Sequence, residues 1–330
     1  MKVAWPVEMS GTGVAVPERV VTNDELSQRV DTSDEWIVQR TGIHERRWVA
    51  PGESTLTLAT QASRAALADA GLTPADVDMI VVGTITPDHP LPSTACLLQA
   101  ALGCGWIPAY DLSAACSGFV WAFIAAAQHI VSDLARTVLL LGAECLSTIT
   151  DMQDRATCVL FGDAAGAVVL RRSTSPERGI LAVRMGADGD RGRLIIIPAG
   201  GSKHPASEQT VAERMHYMRM QGREVYKFAV TQMQAVIAET CADAGVSVDD
   251  VALFIPHQSN LRIIESAVEK AGVPLSKVAI NIDRYGNTSA ASVAVALHEC
   301  RAEGRIKPGD LVMLVAFGAG LTWGSVLMRV

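Results

Sequence analysis

The sequence predicts an α/β protein made of two related halves, and two observations support this fold class. Short apolar segments alternate with helical patterns along the 330 residues, which is typical of strands packed against helices. In addition, residues 69–80 resemble residues 243–254, and the same offset of 174 places residues 137–141 on residues 311–315. One offset that holds over separate segments indicates a duplicated structural unit.

The duplication sets the expected domain organisation. We place an N-terminal half at residues 1–172 and a C-terminal half at residues 173–330. Two copies of one unit are expected to pack about a pseudo-twofold axis. A ligand site is expected between them, because such sites favour the interfaces between structural units.

Composition and charge argue against several classes of protein. Apolar residues make up 49% of the chain, and a net charge of −7 without a long basic run argues against nucleic acid as a partner. The longest apolar stretches, residues 118–127 and 311–323, are too short or too rich in glycine to cross a membrane. Glu8 interrupts the segment that would be apolar in a signal peptide, and the seven cysteines include no C-x-x-C pair. We therefore expect a cytoplasmic protein without a disulfide framework or a metal site.

In chain order, the first predicted elements are short helices. Asn23 and Ser33 are predicted N-caps. Trp36 and Arg40 are four residues apart and share one face of the second helix. Such a pair often only stacks on a surface, but it also fits a clamp for a purine ring and a phosphate. The segments that follow are a helix, a strand and a helix, at residues 56–70, 77–83 and 94–102.

A cysteine stands at the next junction between a strand and a helix. The small residues 113–115 form a turn that leads to Cys116, and the apolar run 119–127 reads as a buried helix. The helix dipole and the free N–H groups at that position are expected to lower the pKa of the thiol. A lone cysteine is more often a buried structural residue, so the interpretation as a nucleophile depends on partners elsewhere in the chain.

Two polar residues occupy similar junctions in the second half. His257 follows a predicted strand and precedes a helix, and Asn287 lies in a turn at a helix start. A lone histidine or asparagine at such a place usually satisfies a turn or cap. Three such groups in a duplicated fold instead indicate acyl transfer, in which a thiolate attacks a carbonyl and polar side chains bind the oxyanion.

The whole chain resembles the β-ketoacyl-acyl-carrier-protein synthase III family, the initiating condensing enzymes of type II fatty acid synthesis. The resemblance implies a thiolase-like fold with five αβαβα layers, and a homodimer. It rests on motifs at residues 31–43, 114–118, 161–166, 256–262, 286–292 and 317–324.

The resemblance implies a role for each candidate catalytic residue. Cys116 would take an acyl group from acyl-CoA, and His257 and Asn287 would hydrogen-bond the thioester oxygen of malonyl-acyl-carrier-protein. The backbone N–H groups of Cys116 and Ala319 would bind the acyl oxyanion. Neither a metal nor a redox cofactor is implied.

The resemblance also implies binding residues. For CoA, Trp36 would stack on the adenine with Arg155 on its other side, Arg40 would reach a phosphate, and Gly222 and Asn260 would line the pantetheine channel. The acyl pocket would include Leu91, at a place that can receive an aromatic residue from the partner subunit, and Phe317. The residues implied in carrier docking are Lys227, Gln258, Ser259, Asn260, Leu261, Arg262 and Lys270.

The chain departs from the family pattern at three positions besides the Leu91 site. Ala164 and Ala319 stand where glycine is common, and alanine resists a positive φ. Glu269 stands where a docking lysine can occur, which weakens the expected basic patch for an acidic carrier.

Other enzymes and one kind of binding protein would use some of the same residues. An enzyme of secondary metabolism that condenses or transfers a different acyl group would use the same three residues. A degradative thiolase would need a second catalytic cysteine, which residues 317–324 do not contain. A cysteine hydrolase would not account for the duplication. A non-catalytic acyl-CoA-binding protein would keep Trp36, Arg40 and Arg155 but would not need Cys116.

Overall fold

The computed structural model describes residues 1–175 and 177–330. Its strands are β1 (Lys2–Trp5), β2 (Val7–Ala15), β3 (Val20–Thr22), β4 (Glu45–Arg47), β5 (Met79–Gly83), β6 (Ala109–Leu112), β7 (Thr137–Cys145), β8 (Asp163–Arg172), β9 (Gly179–Ala187), β10 (Ile195–Ile196), β11 (Arg219–Met220), β12 (Leu253–Pro256), β13 (Leu311–Gly318) and β14 (Thr322–Arg329). Its α-helices are α1 (Asn23–Ser27), α2 (Asp34–Thr41), α3 (Thr55–Asp69), α4 (Thr94–Leu102), α5 (Gly118–Val131), α6 (Arg155–Cys158), α7 (Glu208–Ala212), α8 (Gly222–Ala244), α9 (Leu261–Lys270), α10 (Ile282–Tyr285) and α11 (Ala291–Ala302).

Two five-stranded mixed sheets form the frame of the molecule. The first has the order β2-β8-β7-β5-β6, and the second has the order β1-β9-β14-β13-β12. In the first sheet β5 runs parallel to β6 and β7, and β8 runs antiparallel to β7. The second sheet repeats this pattern, since β12 is parallel to β13 and β13 is antiparallel to β14.

Helices fill the space between the sheets and cover their outer faces. Apolar residues of α5 and α11 form one buried core with both sheets. Helices α3 and α4 pack on the first sheet, while α8 and α9 cover the second. These five layers confirm the predicted αβαβα architecture, with a helical layer at its centre.

The repeat found in the sequence extends to whole elements. With the offset of 174, β5 falls on β12, β7 on β13, α3 on the second part of α8, and α5 on α11. The expected boundary between residues 172 and 173 lies at the end of β8. Strand β1 crosses that boundary, because it pairs with β9 in the sheet of the C-terminal half.

Helix starts near the N-terminus only partly follow the expected capping. The Ser33 side chain accepts a hydrogen bond from the Trp36 backbone N–H, as predicted. The prediction for Asn23 was wrong, because Thr22 caps α1. The amide of Asn23 is buried and instead binds Asp34 and the guanidinium of Arg46. It thereby satisfies a charged group inside the protein.

Among the residues that the structure describes, no helix has the length and apolar character needed to cross a bilayer.

Candidate active site

A cavity of about 560 Å³ lies between the two halves, where the central helices begin. The structure brings Cys116, His257 and Asn287 together on its wall, along with Phe317 and Ala319. These residues come from both halves of the chain. The duplication therefore places the three polar groups at one site, although up to 171 positions separate them in sequence.

Cys116 is presented by the tight turn Ala115–Ser117, which follows β6 and leads into α5. Ala115 has φ 46°, a left-handed conformation that costs energy for a residue with a Cβ. The Thr322 hydroxyl donates a hydrogen bond to the Ala114 carbonyl at 3.1 Å and so ties the turn to strand β14. Gly318 faces the turn closely, since a Cβ there would lie 2.7 Å from the Cys116 nitrogen.

Asn287 occupies the corresponding turn of the second half. Its backbone N–H donates to the Leu160 carbonyl at 2.8 Å. Its side-chain Oδ1 accepts the Ser289 N–H at 2.9 Å. Because Oδ1 is engaged in this way, Nδ2 is the amide group available to donate to a ligand. Ser289 has φ 49° and lies 174 residues after Ala115, so the duplication has kept the left-handed turn in both halves.

His257 follows β12 and is 1% exposed. Its backbone N–H donates to the Val315 carbonyl at 2.8 Å, and its Nδ1 lies 2.7 Å from the Ser292 hydroxyl oxygen. The Phe317 ring meets the imidazole edge-on. Burial lowers the pKa of His257 to about 3, so the imidazole is neutral at physiological pH.

The Ser292 hydroxyl is the hydrogen-bond partner of Nδ1 of His257. Its oxygen accepts the Gln258 N–H at 3.3 Å and lies 2.7 Å from Nδ1 of the imidazole. When this hydroxyl donates to Nδ1, Nε2 carries the hydrogen, and His257 is a donor toward the cavity.

The protonation state of Cys116 differs from the expectation. Burial raises the pKa of the thiol to about 12, and the Glu144 carboxyl raises it further, while a hydrogen bond from Ser289 opposes them. The expectation of a lowered thiol pKa is not met, because the loss of water around the sulfur raises it. The residue still lines the cavity and is only half-buried.

Three of the residues that the resemblance assigns to CoA binding lie together beside the cavity, with both arginines against the Trp36 ring. The Arg155 guanidinium carbon lies 4.4 Å from the centre of the Trp36 ring, and that of Arg40 lies 5.7 Å away. Arg155 also donates to the Asp31 carbonyl at 2.7 Å. No space for a purine ring remains between Trp36 and Arg155. A base that stacks there has to displace the Arg155 side chain.

The other residues implied in CoA binding lie nearby. Gly222 and Asn260 both line the cavity, as do Trp36 and Arg40. The Asn260 amide donates to the Arg40 carbonyl at 3.0 Å, and its Oδ1 caps α9 through the Arg262 N–H. The same side chain thus links helix α2, which holds Trp36, to helix α9.

The implied docking segment is only partly on the surface. Gln258 is 1% exposed and binds the backbone of Pro256, Ala279 and Asn281, so its assignment to carrier docking was wrong. Ser259 is buried and lines the cavity, and Leu261 is half-buried. The exposed members of the segment and its surroundings are Lys227, Arg262 and Lys270, together with the acidic Glu269.

The two residues assigned to the acyl pocket lie in different environments. Phe317 lines the cavity beside His257. Leu91 is 86% exposed and lies outside the cavity wall of its own chain. Leu91 can therefore line an acyl pocket only where a second subunit brings it there.

The alanines at the two family glycine positions fit without strain. Among the described residues, positive φ occurs at four non-glycine positions, which are Ala115, Asp133, Arg214 and Ser289. Ala164 in β8 and Ala319 after β13 are not among them. The backbone conformation at both positions is therefore one that alanine adopts readily.

Three polar residues of the site were not found in the sequence. Ser292 and Ser289 lie in a quoted motif, but their roles depend on contacts across the fold. Glu144 is fully buried behind the nucleophile. The sequence does contain one sign of its importance, which is a carboxylate within the otherwise apolar strand β7. Such a residue stands out because a buried charge needs compensating hydrogen bonds. Within the described ranges, no group of three or more His, Cys, Asp or Glu side chains is arranged to hold a metal ion.

Comparison with known proteins gives two family matches and many relatives. The model described as 3-Oxoacyl-[acyl-carrier-protein (ACP)] synthase III matches residues 110–189, and the model for its C terminal region matches residues 241–330. A beta-ketoacyl-[acyl-carrier-protein] synthase III from Symbiobacterium thermophilum is 52% identical over 98% of both chains. One from Caldanaerobacter subterraneus is 50% identical over 97% of this chain and 96% of the relative.

The fold of the chain is also similar to the folds of solved structures. The 3-oxoacyl-[acyl-carrier-protein] synthase III from Aquifex aeolicus superposes with a TM-score of 0.91 at 48% identity, covering 98% of this chain and all of that one. The priming beta-ketosynthase of the R1128 polyketide biosynthetic pathway gives a TM-score of 0.91 at 35% identity, covering 100% of this chain and 98% of that chain.

The contact between Gly318 and the nucleophile turn predicts the effect of one methyl group. Gly318→Ala would place a Cβ 2.7 Å from the Cys116 nitrogen and 2.9 Å from its Cβ, so the turn has to move. We expect alkylation of Cys116 by iodoacetamide, followed by peptide mass spectrometry, to change by about tenfold or more, with a lower melting temperature. The control is Gly105→Ala, whose Cβ meets open space. Unchanged alkylation and melting in Gly318→Ala would contradict the inferred contact.

Proposed function

The chain belongs to the β-ketoacyl-[acyl-carrier-protein] synthase III family, and we propose that it condenses a short acyl group from acyl-CoA with malonyl-acyl-carrier-protein. The products are 3-ketoacyl-acyl-carrier-protein, CoA and CO2, and the reaction initiates fatty acid synthesis. The observation that carries this proposal is the single cavity that Cys116, His257 and Asn287 share.

In the first half-reaction, the Cys116 sulfur attacks the thioester carbonyl of acyl-CoA. A tetrahedral intermediate forms, and the backbone N–H groups of Cys116 and Ala319, two residues that line the cavity, donate hydrogen bonds to its oxyanion. Donors of this kind lower a barrier by about 3 kcal/mol each. Loss of CoA leaves the acyl group on Cys116.

In the second half-reaction, malonyl-acyl-carrier-protein enters the same cavity. Nε2–H of His257 and Nδ2–H of Asn287 donate to its thioester oxygen and stabilise the enolate that forms as CO2 leaves. A neutral imidazole suits this role because it donates without transferring its proton to the enolate. The enolate carbon attacks the acyl carbonyl on Cys116 and breaks the carbon–sulfur bond.

The entrance residues support recognition of CoA. The Trp36 face and the Arg40 and Arg155 guanidinium groups provide a stacking surface and positive charge where an adenine nucleotide would lie. Exposed Arg262 and Lys270 support docking of an acidic carrier despite the net charge of the chain, and Glu269 between them weakens that patch.

The edge of the first sheet is the face that we propose for contact with a second copy of the chain. Strand β6 is an edge strand whose four residues are only half-buried, and an exposed edge favours pairing with another strand. Trp106 and Leu91 near this edge are 105% and 86% exposed. We propose a homodimer through this face, in which Leu91 reaches the acyl pocket of the partner.

The chemistry proposed here requires no metal or redox cofactor. Thioesters are activated acyl donors, and loss of CO2 generates the carbanion without an external base. The expected compartment is the cytoplasm, where the free thiol of Cys116 is kept reduced.

Separate assays of the half-reactions test the assigned roles. We expect His257→Ala and Asn287→Ala to form the acetyl-enzyme within a few-fold of the wild-type rate. Condensation should fall by about 100-fold or more in each, because each loses an enolate donor. Rapid-quench labelling with acetyl-CoA and release of CO2 from malonyl-acyl-carrier-protein measure the two steps. His298→Ala is the control, since His298 binds Thr12 away from the cavity. Normal condensation in either site variant would overturn the assignment.

The clamp at the entrance predicts a substrate-dependent effect. Trp36→Ala should raise the KM for acetyl-CoA by about tenfold, because stacking on a base is lost. Its rate with acetyl-pantetheine, which lacks the nucleotide, should stay unchanged, and steady-state kinetics with both substrates measure this difference. An equal loss with both substrates would show that Trp36 shapes the cavity rather than binding the nucleotide.

A further inference from the structure

Glu144 is a fully buried carboxyl that the proposed mechanism leaves without a role. It lies near the end of β7, inside the protein. Its Oε2 accepts the Thr86 hydroxyl at 2.6 Å, the Ile85 N–H at 3.1 Å and the Thr84 hydroxyl at 3.2 Å. These three donors belong to the segment that follows β5, and together they fix the carboxyl in one place.

The second carboxyl oxygen of Glu144 holds a turn of the other half. Its Oε1 accepts the Ser289 hydroxyl at 3.1 Å. Ser289 has φ 49°, a left-handed conformation that costs energy for a residue with a Cβ. A hydrogen bond from its side chain to a rigid buried carboxyl stabilises this conformation.

The duplication gives Glu144 a counterpart at the nucleophile. The offset of 174 places Glu144 on Gly318, so that each lies on a strand of one half and faces a turn of the other half. Gly318 packs against the turn that presents Cys116, where an added Cβ would lie 2.7 Å from the Cys116 nitrogen. Glu144 instead bonds to the turn that presents Asn287. One copy of the position thus leaves room for the nucleophile, and the other fastens the turn of the amide.

The orientation of the Asn287 amide depends on Ser289. Backbone hydrogen bonds to Leu160 and Gly162 fix the main chain of Asn287. In the part of the chain that the structure describes, its side chain has one hydrogen bond, in which Oδ1 accepts the Ser289 N–H at 2.9 Å. This bond sets the direction in which Nδ2 donates. A change in the backbone of Ser289 would therefore turn the amide.

We propose that Glu144 is a positioning residue that holds Ser289 in its left-handed conformation and thereby orients the Asn287 amide toward the malonyl thioester oxygen. This inference rests on the proposed function. Glu144 does not line the cavity, so it acts through Asn287 without touching the substrate. Its effect belongs to the second half-reaction, in which Nδ2 of Asn287 donates to the enolate.

The two half-reactions separate this role from a general loss of structure. In Ser289→Ala, acetyl-enzyme formation should stay within about threefold of the wild type. Release of CO2 from malonyl-acyl-carrier-protein should fall by about tenfold, because the Asn287 amide is no longer held in its productive orientation. Glu144→Gln should lose only about threefold in CO2 release, because its amide nitrogen can still bond to the Ser289 oxygen. The control Asp163→Asn removes a buried carboxyl of β8 that binds Ser147, and it should keep both rates.

A double-mutant cycle tests whether the effect passes through Asn287. If it does, Ser289→Ala should cost nothing further in the Asn287→Ala background and should keep its tenfold cost in the His257→Ala background. Release of radiolabelled CO2 measures these slow rates. Additive losses in the Asn287→Ala background, or equal losses of both half-reactions in Ser289→Ala, would overturn the proposal.

A second readout does not depend on the reaction. The chain contains four asparagines, which are Asn23, Asn260, Asn281 and Asn287. Selective ¹⁵N labelling therefore gives four side-chain amide signals, and the loss of one in Asn287→Ala assigns it. In Ser289→Ala, ¹⁵N relaxation should show greater mobility of the Asn287 amide than in the wild type. The amides of Asn23 and Asn281, which bind carboxyl groups elsewhere, should keep their relaxation and serve as internal controls.

The two readouts distinguish failure of this inference from failure of the proposed function. If acetyl-CoA and malonyl-acyl-carrier-protein give no reaction but the Asn287 amide becomes mobile in Ser289→Ala, the proposed function fails and the positioning role stands. If the relaxation of the Asn287 amide is the same in Ser289→Ala and the wild type, the positioning role fails whatever reaction the protein performs.

Discussion

Close packing at the start of the two central helices is the constraint on which the site depends. A Cβ added to Gly118, at the start of α5, would lie 3.3 Å from the Cβ of Ala290, just before α11. A Cβ on Gly142 of β7 would lie 2.3 Å from the Ala290 carbonyl oxygen, so that strand and turn touch backbone to backbone. Because these residues are small, the turns of both halves meet, and Cys116 comes to the same cavity as Asn287.

The same burial controls the chemistry of the site. A cavity largely shielded from water keeps the Cys116 thiol and the His257 imidazole uncharged, and it raises the proton affinity of Glu144. Neutral groups with fixed hydrogen-bond directions stabilise charge only when it develops in the reaction. The free-energy cost of burying these groups is offset by preorganised hydrogen-bond donors rather than by an ion pair.

The sequence was sufficient for the fold class and the three polar residues, because duplication and strand–helix junctions leave local patterns. It did not reveal the pKa of Cys116, since desolvation depends on walls contributed by distant segments. The burial of Gln258 was missed for a similar reason, because its partners Ala279 and Asn281 come from a later loop. Glu144 and Ser289 are 145 residues apart, and only the folded chain shows that they bind each other.

The most direct test of the account is the intact mass of the protein after mixing with acetyl-CoA, followed by a chase with malonyl-acyl-carrier-protein. We expect a mass gain of one acetyl group that is absent in Cys116→Ala and that the chase removes as 3-ketoacyl-carrier. An adduct that persists through the chase, or one that also forms in Cys116→Ala, would contradict condensation at this cysteine.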